Sequence, residues 1–127
     1  MGARATAVAQ ANATVRRVSD LVLRLVAAGH WFCLSHPEDL GRDPRHEHLA
    51  ASIFQVPMLD ALRSLPNISE GATFLCAHGA DWAGPTRVVS NLSNLDLLCR
   101  HMGPPNFGPE LDYLGPLPKW CGHRRRS

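Results

Sequence analysis

The clearest hydrophobic pattern in the chain lies between residues 14 and 28. Apolar side chains recur there every three or four residues, at Val15, Val18, Val22 and Leu25. Charged residues fall on the opposite side of the same helical projection, at Arg17, Asp20 and Arg24. This spacing predicts an amphipathic helix over residues 14–28 with one buried stripe, ended by Gly29. Residues 1–13 are rich in alanine and show no clear stripe, so they form an N-terminal extension that either continues the helix or stays loose.

Three short apolar runs predict strands. The first, Trp31-Phe32-Cys33-Leu34, does not alternate with polar residues. A continuous apolar run is typical of a strand buried on both faces of a parallel sheet, with Trp31 in the core. Residues 73–76 and 86–90 are the second and third strand candidates, and the loop 77–85 between them is a candidate hairpin connection.

The remaining elements of the body are short. Residues 38–48 are polar and charged, which predicts an exposed loop in which Glu38 is solvated. Pro57 can begin a helix at its first turn, and the helix ends before Pro66. Its apolar face is formed by Met58, Leu59, Leu62 and Leu65. Residues 92–98 are predicted to form a short closing helix.

Glycine and proline dominate the chain after Met102. Their positions are Gly103, Pro104, Pro105, Gly108, Pro109, Gly115, Pro116 and Pro118. Both residue types disfavour regular elements, so we expect this segment to be irregular, either extended along the body or disordered. The pattern therefore predicts an extension over 1–13, a partial domain over 14–101 and a basic tail over 102–127.

The order of elements predicts an α/β fold. We interpret the chain as an incomplete Rossmann-like three-layer fragment with one long helix, about three short strands and one or two short helices. Such a set of elements buries little apolar area relative to its conformational entropy, which predicts marginal stability.

Charge is concentrated at the C-terminus. The formal net charge is +2, and four of the 13 basic residues stand in the tail, at Lys119, Arg124, Arg125 and Arg126. A basic tail can attract phosphate backbones. Because the sequence shows neither an apolar run of the roughly 18 residues that a membrane helix needs nor a signal-peptide pattern, we expect no membrane span and an intracellular protein with reduced cysteines.

Cysteine and histidine suggest one alternative chemistry, a zinc site. Cys99 and Cys121 are each followed two residues later by a histidine, His101 and His123. Thiolate and imidazole are the preferred ligands of Zn²⁺, four at a time in a structural site. Both pairs lie outside the predicted strands, so Cys99, His101, Cys121 and His123 are the set that would stabilise a small zinc module.

Several stretches of the sequence resemble a known family. They are Leu34-Ser35-His36-Pro37-Glu38-Asp39-Leu40-Gly41, Cys76-Ala77-His78-Gly79-Ala80, Pro85-Thr86-Arg87, Ser90-Asn91-Leu92 and Pro118-Lys119-Trp120-Cys121-Gly122-His123. The chain over about 12–123 resembles the C-terminal part of cytosine-C5-type DNA methyltransferases. It resembles more closely the diverged methyltransferase-like proteins of retroelements and phages.

The resemblance implies roles for particular residues. In that pattern the acid before the turn contacts the flipped target base; Ser35 stands at that position here, His36 follows it, and Pro37 matches the turn. Arg87 matches a basic residue near the base or phosphate. The exposed loop after the second strand offers Trp82 for stacking on a base.

The same resemblance implies what is missing. The family needs a glycine-rich turn for S-adenosylmethionine and a Pro-Cys nucleophile loop, and the sequence contains neither an F-x-G-x-G-like segment nor a Pro-Cys dipeptide. We therefore expect no catalytic residue and no bound cofactor, unless a partner protein supplies a missing half-domain with the S-adenosylmethionine site.

Three interpretations of function follow. The first is a methyltransferase-like remnant, inactive alone, with weak contact to DNA or RNA through Ser35, His36, Pro37, Trp82, Arg87 and the tail residues Arg124, Arg125 and Arg126. The second is the zinc-stabilised interaction module. The third is a non-functional truncated retroelement product.

Overall fold

The computed structural model describes residues 2–38 and 60–118. Helices and strands alternate irregularly along these two stretches. In chain order the elements are α1 (Ala3–Ala27), β1 (Cys33–Pro37), α2 (Asp60–Arg63), β2 (Ser69–Phe74), β3 (Pro85–Ser90), β4 (His101–Met102), β5 (Asn106–Phe107) and β6 (Tyr113–Gly115). Two 3-10 turns, Leu75–His78 and Leu95–Leu97, follow β2 and β3. The expected mixture of helix and sheet is confirmed.

The main sheet has the strand order β1-β3-β2-β4, and all of its described pairings are antiparallel. The parallel layer expected of a Rossmann-like fragment is therefore not found among the described strands. The candidate hairpin is confirmed, because β2 pairs with β3 from Ser69↔Ser90 to Phe74↔Pro85. Its connection, residues 75–84, is shorter than the dozen or so residues that a parallel crossover needs.

Strand β1 is an edge strand of this sheet and is not buried on both faces as predicted. Cys33, Ser35 and Pro37 are exposed, while the residues between them are more covered. Trp31 is 66% exposed and was wrongly expected in the core, where Phe32 lies instead. An antiparallel edge strand needs only one apolar face, so the unbroken apolar run indicated the wrong environment.

Helix α1 is longer than its apolar stripe. It begins at Ala3 instead of residue 14, because the alanine-rich segment has high helix propensity without needing a buried face. The side chains of residues 5–14 are all exposed. The predicted end is confirmed: Gly29 adopts φ +83°, its N–H donates to Val26 O at 3.0 Å, and the His30 N–H donates to Leu25 O at 2.9 Å. This pair of bonds is a Schellman motif, which requires the left-handed residue that glycine provides.

Apolar residues pack on both faces of the sheet. On one face, helices α1 and α2 cover β3, and the buried residues are Val22, Phe32, Leu62 and Val89. On the other face, the turn Leu95–Leu97 and the following residues close a smaller cluster of Val88, Leu95 and Cys99. Neighbouring residues of β3 point to opposite faces, so Val88 and Val89 belong to different clusters.

The shorter elements differ from the prediction at their ends. Strand β2 begins at Ser69 and ends at Phe74, and residues 75–78 turn into a 3-10 helix. The predicted closing helix is reduced to the turn Leu95–Leu97. Helix α2 lies within the helix predicted after Pro57, whose first residues, like the expected loop 39–48, lie outside the described residues.

The C-terminal segment was wrongly expected to lack regular structure. Strands β5 and β6 form a two-stranded hairpin. The Leu111 N–H donates to Gly108 O at 3.0 Å, the Gly108 N–H donates to Asp112 O at 2.7 Å, and Leu111 has φ +62°. This is a three-residue hairpin loop with a left-handed residue at its end. Gly108 and Pro109 therefore lie in the turn and do not interrupt the strands.

The structure also bears on membrane association. Within the described part of the chain, α1 is the one helix of spanning length, and neither it nor α2 meets the requirement for a long, continuously apolar stretch.

Replacing Leu62 by alanine should destabilise the fold by roughly 2–5 kcal/mol, because the side chain is 1% exposed and its removal leaves a cavity between α2 and the sheet. Urea unfolding followed by circular dichroism measures the change in the free energy of unfolding. Leu97→Ala is the matched control: Leu97 is 77% exposed, and its replacement should change that free energy by less than about 0.5 kcal/mol. Equal losses in the two variants would contradict the described core.

Candidate functional site

The most unusual group in the fold is a buried arginine. Arg87 lies in the middle of β3, and its side chain is 0% exposed. It is paired with His36 of β1 on one side and with Ala72 of β2 on the other. Arg87 and Val89 are two residues apart in β3 and share a face, and Val89 packs with the helices, so the guanidinium lies on the face covered by the helices.

Glu38 is the principal partner of Arg87. It follows β1 directly, and its side chain is 1% exposed. Arg87 Nε donates to Glu38 Oε1 at 2.8 Å, and Arg87 Nη2 donates to Glu38 Oε2 at 2.5 Å. The Glu38 N–H donates to Pro85 O at 2.9 Å, which extends the β1–β3 ladder by one pair and places the carboxylate diagonally across from Arg87. Two parallel N–H···O bonds form the bidentate arrangement that arginine and carboxylate favour.

The other side of the guanidinium faces β2 and the chain after β4. Arg87 Nη1 donates to Glu70 Oε2 at 3.0 Å and to Gly103 O at 2.9 Å. Glu70 is in turn 3.4 Å from Arg63 Nε of α2. Two arginines and two glutamates therefore balance in charge. Burial by itself would lower the pKa of Arg87, but the hydrogen bonds and negative charges of Glu38 and Glu70 outweigh it and raise the pKa above its ordinary value.

Tyr113 joins the C-terminal hairpin to this group, and Arg87, Glu38, Glu70 and Tyr113 together are called the Arg87 cluster below. The Tyr113 hydroxyl donates to Glu38 Oε2 at 3.1 Å and accepts the Leu117 N–H at 3.1 Å. Its ring meets Phe107 edge to face, with centroids 5.9 Å apart. Burial raises the pKa of Tyr113 to about 12; the Leu117 N–H opposes this shift and the charge of Glu38 adds to it.

The Arg87 cluster is closed rather than open to a ligand. Five N–H···O contacts to Glu38, Glu70 and Gly103 use four of the five donors of the guanidinium, because the single Nε–H is shared between the two oxygens of Glu38. Its burial leaves no surface for a phosphate to approach. This placement argues against the expected nucleic-acid contact by Arg87 and instead assigns the residue to holding three strands and the C-terminal segment together.

The other expected contact residues of the body are at the surface. Ser35 and Pro37 are exposed, and Trp82 is 65% exposed in the β2–β3 connection. The register Pro37↔Thr86 places the end of β1 beside the start of β3, at the same end of the sheet as this connection. His36 is half-buried, with Nδ1 3.0 Å from Pro37 O. Arg124, Arg125 and Arg126 lie outside the described residues.

The structure separates Ser35 from Arg87. Ser35 pairs with Val88, the residue next to Arg87 along β3, so the two side chains project from opposite faces of the sheet. The serine that stands at the family's acid position and the arginine expected near the same base are therefore not brought together.

Only half of the expected zinc set lies in the described part of the chain. Cys99 is 0% exposed in the cluster with Val88 and Leu95. Burial raises the pKa of its thiol, the nearby Cys33 adds to the shift and Arg87 opposes it. His101 lies in β4 and pairs with Ala72, while Cys121 and His123 lie beyond residue 118. Over residues 2–38 and 60–118, no three histidine, cysteine, aspartate or glutamate side chains are grouped as metal ligands.

Sequence reasoning missed three members of the cluster, Glu38, Glu70 and Tyr113. The prediction that Glu38 is solvated is wrong. A signal was present, because Leu34, His36 and Glu38 follow one another at the two-residue period that places side chains on one face of a strand. Treating the apolar run before them as a strand buried on both faces concealed this alternation.

Comparisons with protein-family models, with curated proteins and with solved structures find no significant match to the chain.

Replacing Glu38 by glutamine should cost roughly 3–5 kcal/mol of stability, because it leaves a buried guanidinium without its main countercharge. Glu70→Gln should cost less, since Glu70 is 16% exposed and Arg87 keeps Glu38. Glu110→Gln, at an exposed position of the hairpin loop, should change stability by less than about 0.5 kcal/mol. Urea unfolding of the three variants gives the order, and a Glu38→Gln variant as stable as Glu110→Gln would contradict the ion pairing.

Tyr113 is the only tyrosine in the chain, so tyrosinate absorbance reports on this residue alone. We expect a midpoint near pH 12 in the folded protein and near 10 in denaturant. Since the folded state holds the phenolic proton more tightly, the resulting stability is fully present below pH 10 and is lost as the pH rises towards 12. In Tyr113→Phe this alkaline loss should disappear. A folded-state midpoint near 10 would show that the hydroxyl is not buried against Glu38.

Proposed function

We propose that this chain is a partial methyltransferase-like domain that is catalytically inactive alone and binds DNA or RNA weakly at one end of its sheet. The contact residues are Trp82 in the β2–β3 connection and Ser35 and Pro37 at the end of β1. His36 lies between them, with its ring partly accessible. The Rossmann-like origin is also part of this proposal. The described strands are antiparallel, so the parallel layer of such a fold is not among them, and we propose that a partner supplies it.

The observation that carries the proposal is the exposure of Trp82. An indole that is 65% exposed in a connection of small and polar residues gains nothing from core packing. A flat aromatic surface beside the solvent-facing end of a strand is the arrangement on which unpaired bases stack in single-strand binding proteins. Ser35, exposed on the neighbouring strand β1, can donate and accept hydrogen bonds.

Inactivity alone is supported by the chemistry of the side chains. A methyltransferase of this kind attacks the base with a thiolate. Cys33 is exposed as a residue, but its thiol is partly desolvated. This desolvation raises the pKa of the thiol, which lowers the thiolate fraction at neutral pH. Cys99 is buried, so a base could not reach its thiol. S-adenosylmethionine would then bind only where a partner protein contributes the glycine-rich turn.

The test is binding of fluorescein-labelled single-stranded DNA and RNA at low salt, measured by anisotropy. Trp82→Ala should weaken binding about tenfold, since one stacked base contributes roughly 1–3 kcal/mol. Trp31→Ala is the matched control, because Trp31 is 66% exposed but lies at the opposite end of β1.

Equal loss in the two tryptophan variants would mean that any exposed indole contributes, and would contradict a site at the β2–β3 connection. Absence of binding by the unaltered chain would refute the proposed contact altogether.

A further inference from the structure

The outer face of α1 carries a net positive charge. The valines on one side of α1 pack against the sheet, and Arg16, Arg17 and Arg24 are exposed on the other side. Asp20 is the only acidic residue of the helix. Arg17 and Arg24 are seven residues apart, which places them two turns apart on one face, about 10 Å along the axis.

These arginines differ from Arg63 and Arg87 in their surroundings. Arg63 and Arg87 each lie within ion-pair distance of a glutamate. Arg16, Arg17 and Arg24 form no ion pair with a described residue, and this includes Asp20, which lies one turn away from each of them. No described residue therefore occupies their guanidinium donors.

The same face presents very little apolar surface. Leu21, 56% exposed, lies between Arg17 and Arg24 in the row i, i+4, i+7. A stable protein–protein interface usually has an apolar core within about 800 Å² per partner, which one leucine does not supply. Spaced arginines with solvent between them suit a polyanion instead, since a nucleic-acid duplex carries a phosphate charge for about every 1.7 Å of its length.

We propose that Arg16, Arg17 and Arg24 form a second contact surface that binds the sugar–phosphate backbone of nucleic acid. The inference rests on the proposed function and assigns to α1 the sequence-independent part of that binding. Stacking at Trp82 would engage a base, while the α1 surface would engage phosphates and release their counterions.

The experiment measures the dependence of affinity on salt for a short labelled duplex. Each phosphate contact contributes about −0.9 to the slope of log K against log salt concentration for duplex DNA. The triple variant Arg16→Gln/Arg17→Gln/Arg24→Gln should therefore lose roughly 2–3 units of slope. Glutamine has nearly the helix propensity of arginine, so α1 should persist, which circular dichroism checks.

Single-charge variants provide the matched controls. Arg24→Gln should reduce the slope by about one unit. Arg100→Gln, which removes the same charge from another exposed position, should leave it unchanged. Asp20→Asn should act in the opposite direction and tighten binding, because it removes the one negative charge from the face. Equal slopes for Arg24→Gln and Arg100→Gln would overturn the proposal, since net charge alone would then account for binding.

Two further outcomes separate this inference from the proposed function. If Trp82→Ala weakens single-strand binding and the triple variant keeps the full slope on the duplex, the α1 surface is refuted and the stacking site stands. If the triple variant loses slope on the duplex and Trp82→Ala has no effect on single-strand binding, the α1 surface stands and the stacking site fails. Displacement of the duplex by polyglutamate at equal charge concentration would indicate an acidic polypeptide as the ligand and would overturn the phosphate assignment.

Discussion

The buried ion pair between Arg87 and Glu38 is the constraint on which the rest of this fold depends. A guanidinium without contact to water is tolerated only when acceptors match its donors. Here the acceptors come from the end of β1, from β2 and from the chain after β4. The pair also specifies register. A slip of one residue between β1 and β3 would turn Glu38 to the opposite face and leave Arg87 buried with a large part of its countercharge removed.

The C-terminal segment is bound to the folded body through this ion pair. Its composition suggests an appendage, yet Gly103 accepts from Arg87, and Tyr113 donates to the same carboxylate that holds the guanidinium. Leu117, 4% exposed, adds an apolar contact, and its N–H donates to the Tyr113 hydroxyl. The segment up to about residue 117 is thus part of the folded body. Among the described residues, the exposed surfaces proposed for binding are the β2–β3 connection and the outer face of α1.

The parts of the structure that sequence could predict are those set by local rules. The valine stripe of α1, the Gly29 stop, the apolar strand β3 and the β2–β3 hairpin all follow from periodicity and turn chemistry. Non-local partners decide the rest. Trp31 and Phe32 are equally apolar, and only the antiparallel pairing of β1 determines which of them is buried. Glu38 looks like a loop carboxylate until Arg87 is known to lie across from it. Of the candidate site, the surface position of Trp82 could be anticipated from its Gly/Asp/Pro surroundings, whereas the burial of Arg87 could not.

The spacing of the cluster along the chain has a consequence for the order of assembly. Strands β2 and β3 are neighbours in sequence, so their hairpin closes a short loop at low entropic cost. Glu38 and Arg87 are separated by 49 residues, and Glu38 and Tyr113 by 75. Closing loops of that size loses more chain entropy before any contact forms. We therefore expect the hairpin to form first, with Arg87 still hydrated, β1 to add as Glu38 arrives, and the C-terminal hairpin to lock last. The arginine would then lose its water only when the carboxylate replaces it.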